Sequence, residues 1–295
     1  MQSIRAYAYA KINLTLDVLG KRPDGYHEMD MILQSVSLCD ELVLTKAETQ
    51  GISLSCDRKE IPCDERNLAY QAADLLFREL EERDFGVSIE LKKNIPEQAG
   101  MAGGSADAAA VLVGINELFS YGLTEEELCK LGERLGADVP FCIQGGTMRV
   151  RGFGERLTSL PDFPKLPIAI AKPREGMSTA QAFEKIDSCK LVHPPVQQVE
   201  DFLRTGDIPT AGLYCGNVFM QVTEIEDVFS FCRYFHTHQA IFSMMTGSGT
   251  AVFAVFEQEH PAKMCVKGLI DAGERAYLCY PVKQGVELIR EEDAR

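Results

Sequence analysis

Apolar and polar residues alternate along the start of the chain. Ile4, Ala6, Ala8, Ala10, Ile12, Leu14, Leu16 and Val18 fall on one side, with Arg5, Tyr7, Tyr9, Lys11, Asn13, Thr15 and Asp17 on the other. A period of two sends successive side chains to opposite faces of an extended chain, so the pattern predicts one long strand or two joined by a bulge. Pro23-Asp24-Gly25 predicts a turn, and Ile32 to Leu44 a second strand region. From Asn67 to Glu82 the period lengthens through Leu68, Ala72, Leu75, Leu76 and Leu80, which predicts an amphipathic helix. Val87, Ile89 and Leu91 alternate with Ser88 and Glu90 as in a strand. Alanines then lead through Leu112, Ile115, Leu118 and Phe119 as in a helix. Thr124 and Glu127 have capping-box spacing before Leu128, Leu131 and Leu135, and Gly136 ends that helix.

The pattern loosens from Gly152 to Pro164, where a domain boundary is expected. A strand from Leu166 to Ala171 follows, then helical stretches around Ala180–Ile186, Gln197–Leu203, Glu224–Arg233 and Pro261–Ala272. Met245-Thr246-Gly247-Ser248-Gly249-Thr250 leads into an apolar strand, Ala251 to Phe256. Strands and helices mix in both halves without strict parallel alternation, which predicts an α+β fold.

Between the strand ending at Leu91 and the alanine-rich helix lies Pro96-Glu97-Gln98-Ala99-Gly100-Met101-Ala102-Gly103-Gly104-Ser105-Ala106-Asp107. Strand, glycine-rich loop and helix in this order form an arrangement that holds phosphate, because backbone N–H groups and the positive end of the helix dipole point at the anion. The loop is neither a Walker A sequence nor a dinucleotide fingerprint. A glycine turn that packs helix closely on strand is the alternative. Gly247-Ser248-Gly249 poses the same choice.

Other candidates are ambiguous singly. Lys11 and Asn13 share the polar face of the first strand, either in solvent or, with Lys11 set between Ala10 and Ile12, aimed into a cleft. Asp138, two residues before Pro140, and Asn67 both read as helix N-caps. Tyr26 and His27 follow the turn as packing or surface residues.

The chain of 295 residues has a formal charge of −14, from 30 Lys plus Arg against 44 Asp plus Glu. That excludes an extensive nucleic-acid surface but leaves room for a nucleotide held by backbone donors, a few lysines and Mg²⁺. Ten cysteines are scattered with no Cys-x-x-Cys pair, as in a reduced cytoplasmic protein without a zinc site. No apolar run predicts a membrane span, and Met1 to Arg5 lacks the blocks of a signal peptide.

Taken together, four segments resemble the GHMP kinases, small-molecule kinases with a glycine-rich phosphate loop. They are Ala8–Leu14 with Gly20–His27, Pro96–Ala110, Leu135–Phe141 and Met245–Gly249. The resemblance implies a two-domain α+β architecture with mixed sheets and a cleft between residues 1–157 and residues 158–295. It implies ATP with Mg²⁺, a small cytidylyl alcohol as acceptor, and a monomer or homodimer. Lys11 and Asp138 match the catalytic pair. Pro96 and the loop Gly100, Met101, Ala102, Gly103, Gly104 and Ser105 match the ATP phosphate site, with Asn67 and Lys93 near the adenine. Ser105 and Asp107 match neighbours of Mg²⁺, Ser105 being the candidate ligand. Asn13, Tyr26, His27, Thr179 and Phe183 match the cytidine end, where Tyr26 and Phe183 sandwich the ring and His27 bonds its edge. Asn217-Val218-Phe219-Met220, Thr246, Thr250 and Ala251 depart from the family pattern.

Overall fold

The computed structural model describes residues 2–290. It opens with β1 (Ser3–Lys21), β2 (His27–Lys46) and β3 (Gly51–Cys56), then α1 (Leu68–Glu79), β4 (Gly86–Lys92), α2 (Gly103–Phe119), α3 (Glu125–Glu133) and α4 (Val139–Gln144). β5 (Thr147–Gly152), β6 (Arg156–Ser159) and β7 (Ile168–Lys172) precede α5 (Thr179–Asp187), α6 (Val196–Thr205) and α7 (Ile208–Tyr214). A 3₁₀ turn at Val218–Gln221 leads to α8 (Glu226–Thr237), β8 (Phe242–Met245), β9 (Val252–Val255), α9 (Glu259–Asp271), β10 (Arg275–Cys279) and β11 (Val286–Arg290).

The strands form two sheets. The larger runs β11-β1-β2-β4-β3, with β5 pairing on β2 and β6 on β5; the smaller runs β10-β7-β9-β8. All pairings are antiparallel except β3 with β4, so both sheets support the α+β expectation. β6 spans residue 157, and β11 returns to lie beside β1. The larger sheet thus takes one strand from the far end of the chain.

β1 is a single strand whose pairing with β2 shifts between Tyr9 and Ala10, between Asn13 and Thr15, and between Val18 and Gly20. Bulges of this kind bend and twist a strand too long to stay flat. Of the two settings open to the polar face of β1, solvent holds only near its start, where Arg5 is exposed and Tyr7 and Tyr9 are half-buried; Lys11, Asn13, Thr15 and Asp17 are all buried. Strand periodicity separates the two faces but does not say what covers each, and other elements close over this one.

α2 packs on β1 and β2. Ala106, Ala108, Ala109 and Ala110 are fully buried, and a Cβ on Gly114 would overlap Leu44 Cδ1. Small residues thus bring the helix axis close to the sheet, which sets the height of the loop before it. Thr124 and Glu127 form the expected capping box on α3, with both reciprocal bonds made.

Candidate active site

A cleft of about 900 Å³ opens where β1, the loop before α2, the start of α4, α5 and the β8–β9 loop converge. All the candidate residues named from the sequence line this one cleft.

The loop from Pro96 to Ala102 has an unusual backbone. Gln98, Gly100 and Ala102 have φ of 48°, 72° and 59°, while the residues between them stay at negative φ. Backbone whose φ changes sign from residue to residue curves sharply, and a curved segment with unpaired N–H groups carries the donors that an anion needs. Two non-glycine residues hold positive φ here, at roughly 1–2 kcal/mol each, so the surrounding packing enforces the shape. Among the described residues, none of the N–H groups from Gly100 to Ser105 donates to a protein acceptor. α2 begins at Gly103 with no side-chain cap and no acidic residue in its first turn, so its positive end faces the cleft uncancelled.

Beneath that helix end lies a buried cluster. Lys93 Nζ bonds Asp40 Oδ2 and, at 2.6 Å, Asp107 Oδ2. Asp40 Oδ1 accepts the N–H groups of Asn94 at 2.6 Å and Ile95 at 2.8 Å. Burial presses the Lys93 ammonium down, but the Asp107 and Asp40 charges beside it outweigh this and its pKa is raised. Burial drives the Asp107 carboxyl well up against the opposing pull of Lys93, and its Oδ1 has no partner. Asn67 lies at the cleft wall, yet both ends of its amide are engaged: Oδ1 caps Ala69 N at 2.9 Å, and Nδ2 donates to Pro62 O at 2.8 Å.

Lys11 Nζ, 4% exposed as a residue, donates to Asn13 Oδ1 at 2.8 Å and stands 4.0 Å from Asp138 Oδ2. Asp138 occupies the N-cap position of α4, but its side chain makes no capping bond. Its φ of −85° and ψ of −12° are already helical, which differs from the extended backbone of a side-chain cap. The carboxylate is therefore left to the cleft and to Lys11. The N-cap reading holds for Asn67 and fails for the Asp138 side chain.

Asn13 is fully buried, and its Oδ1 also accepts from Thr246 Oγ1 at 3.1 Å and Gly247 N at 2.9 Å. Its backbone N–H donates to Thr246 Oγ1 at 3.0 Å. Asn13 is thus brought to Lys11 and the β8–β9 loop, with its oxygen committed to three bonds. Asn217 secures that loop from the other side, through Met245 O at 2.7 Å and Gly247 O at 2.9 Å.

At the far end, Phe183 stacks on His27 with ring centroids 4.4 Å apart, and its edge meets Phe219. Tyr26 instead leans on Phe153, at 5.1 Å. The structure brings Tyr26, His27 and Phe183 to one end of the cleft without pairing Tyr26 with Phe183. Thr179 Oγ1 lies 3.0 Å from Ser248 Oγ, linking the first turn of α5 to the β8–β9 loop.

Asp40, Phe153 and the bracing role of Thr246 were not picked out by sequence reasoning. Asp40 interrupts the alternate apolar positions Val36, Leu38, Leu42 and Leu44, a usable signal; for Thr246 and Phe153 no local pattern marks the contact. Among the described residues, no group of three or more His, Cys, Asp or Glu side chains is placed to cage a metal ion.

Comparison with known proteins bears on these features. Residues 67–146 match the family model described as GHMP kinases N terminal domain. The chain is 42% identical over 275 residues to a 4-diphosphocytidyl-2-C-methyl-D-erythritol kinase of Acetivibrio thermocellus, covering 91% of this chain and 95% of that protein. It is 45% identical over 268 residues to the kinase of the same name from Synechococcus sp. (strain JA-2-3B'a(2-13)), covering 86% of each. A crystal structure of 4-(cytidine 5'-diphospho)-2C-methyl-D-erythritol kinase superposes with a TM-score of 0.80 at 30% identity, over 94% of this chain and 98% of that one. Homoserine kinase from Cytophaga hutchinsonii, at 20% identity over 98% of both chains, shares the fold with a TM-score of 0.78. On its sequence likeness to these cytidylyl-alcohol kinases over most of its length, this chain belongs to the GHMP kinases.

Proposed function

We propose that this chain transfers the γ-phosphoryl group of ATP to the 2-hydroxyl of 4-diphosphocytidyl-2-C-methyl-D-erythritol, in the non-mevalonate route to isoprenoid precursors. The observation that carries the chemistry is the buried Lys11 ammonium 4.0 Å from an uncapped Asp138 carboxylate, beside a loop of unspent N–H groups. Phosphoryl transfer asks mainly for alignment and charge stabilisation, and this site offers both without a covalent intermediate.

In this reading the N–H groups from Gly100 to Ser105 and the end of α2 hold the ATP phosphates. Asp138, an acceptor, takes the proton of the attacking hydroxyl. Lys11, which has only donors, stabilises the charge that develops on the transferring group. Asn13 aims Lys11. Tyr26, His27, Thr179 and Phe183 receive the cytidylyl end. Among the described residues there is no carboxylate cage; the Ser105 hydroxyl, an oxygen donor in the cleft, would be the protein ligand of a Mg²⁺ that accompanies the nucleotide. When bound, the ion would neutralise phosphate charge. The raised Asp107 carboxyl and its bond to Lys93 suit a supporting role below the helix better than a place on the metal. The two working units are residues 1–157 and residues 158–295, with β11 lent to the sheet of the first. The setting is the cytoplasm; among the described residues no helix is long and apolar enough to cross a membrane.

The test is ADP release with ATP, Mg²⁺ and the cytidylyl alcohol, beside homoserine, mevalonate and galactose. Turnover with the cytidylyl alcohol alone supports the proposal. Turnover only with another alcohol moves the specificity and keeps the fold. ATP binding without any turnover makes the protein a nucleotide sensor.

A further inference from the structure

Asp187 is the last residue of α5, and both of its carboxylate oxygens are committed. Oδ1 lies 2.7 Å from His27 Nε2, and Oδ2 lies 3.3 Å from Lys21 Nζ. Lys21 and His27 are cross-strand partners where β1 and β2 meet their turn, so Asp187 bridges that pair from α5. One turn earlier on the same helix, Phe183 stacks on the His27 ring at an interplanar angle of 25°. Residues four apart share a helix face, so α5 grips the imidazole by its plane and by one nitrogen together. Nδ1 has no hydrogen-bond partner among the described residues, and His27 lines the cleft.

A carboxylate only accepts hydrogen bonds, so the nitrogen facing Asp187 carries the hydrogen. In the neutral ring the other nitrogen is then a bare acceptor. The His27 bond, with help from Lys21, also holds the Asp187 pKa below its ordinary value against the opposing effect of burial, which keeps it an acceptor at neutral pH. An acceptor suits the exocyclic amino group of cytosine. It meets the O4 of uracil lone pair to lone pair, leaving both unbonded.

We infer that Asp187 is a positioning residue for base choice: by fixing His27 with hydrogen on Nε2, it makes Nδ1 an acceptor that favours a cytidylyl over a uridylyl substrate. This rests on the proposed cytidylyl activity. It adds a residue that acts only through His27, and a reason for the discrimination.

The experiment compares kcat/KM for the cytidylyl alcohol and its uridylyl counterpart in the wild-type protein, Asp187→Ala and Asp187→Asn. The ring-nitrogen NMR of ¹⁵N-histidine-labelled protein is recorded alongside. An unmade hydrogen bond at a buried group corresponds to about ten- to hundredfold in selectivity. The wild type should favour the cytidylyl substrate by at least that, with hydrogen on His27 Nε2 and a bare Nδ1. In Asp187→Ala the preference should shrink about tenfold and the ring should become a tautomer mixture, with the KM for ATP unchanged. Asp187→Asn, whose amide oxygen still accepts, should retain most of the preference.

Equal losses for both pyrimidines in Asp187→Ala would reduce Asp187 to a structural tether and overturn the inference. So would a wild-type His27 with its hydrogen on Nδ1. If the wild type turns over neither substrate, the functional proposal falls, and the ring-nitrogen spectra still decide whether Asp187 sets the tautomer.

Discussion

Two glycine-bearing loops meet in this cleft, with different uses. In the first, none of the N–H groups from Gly100 to Ser105 has a protein acceptor among the described residues. In the second, Thr246, Gly247, Gly249, Thr250 and Ala251 all donate theirs: Thr246 to Ala251 O, Gly247 to Asn13, Gly249 to Thr246 O, and the last two to Gln98 O and Ala99 O. The second loop braces the first. A Cβ on Gly247 would lie 2.7 Å from Gly100 O, and one on Gly100 would overlap the Thr246 carbonyl, so these glycines permit backbone to lie on backbone. A glycine cluster is ready for an anion when its donors are unspent, and composition does not record that.

Lys11 stands where the loops meet. Its N–H bonds Met101 O at 3.2 Å, while its side chain reaches the second loop through Asn13. The sharpest test of the contrast therefore removes what both loops serve. Lys11→Ala should lower kcat by about 10²–10³ while the KM for ATP stays within about threefold, since the phosphate loop is untouched. A parallel rise in the KM for ATP would show that Lys11 holds nucleotide in the ground state.

Next comes the first loop. A Cβ on Gly104 would make only ordinary contact, at 3.5 Å from Leu68 Cδ1. Gly104→Ala should therefore melt within a few degrees of the wild type yet raise the KM for ATP about tenfold, by crowding the phosphates. An unchanged KM would place the phosphates elsewhere. The second loop should fail in the opposite way. Gly247→Ala meets both a φ of 57° and the Gly100 carbonyl, and should cost about 1–3 kcal/mol in urea unfolding. If it perturbs ATP binding and not stability, the division of roles between the loops is wrong.

The smallest effect concerns Asp107. Its carboxyl has a raised pKa in the folded state, because burial disfavours the charged form. The folded state then binds the proton more tightly than the unfolded state. Stability is lost as pH rises above the unfolded value of about 3.9, up to the folded pKa, and is recovered on acidification. Asp107→Asn should consequently gain on the wild type in unfolding free energy at neutral pH, with the difference closing as pH falls toward that of the unfolded carboxyl. A gain that persists unchanged into acid would trace to packing.

Local pattern was enough for the first strand, the capping box at Thr124 and Glu127, and the strand–loop–helix order around Gly100. Each depends on residues a few positions apart, whose periodicity and backbone needs are set by the peptide itself. Tertiary structure decided the rest. It buried the polar face of β1 from Lys11 to Asp17, released the Asp138 side chain from its helix, spent most donors of the second loop while sparing those of the first, and laid β11 beside β1. These outcomes turn on which distant segment covers a surface or accepts a bond, and a hydrogen bond between residues such as Asn13 and Thr246 leaves no trace in the spacing of either neighbourhood.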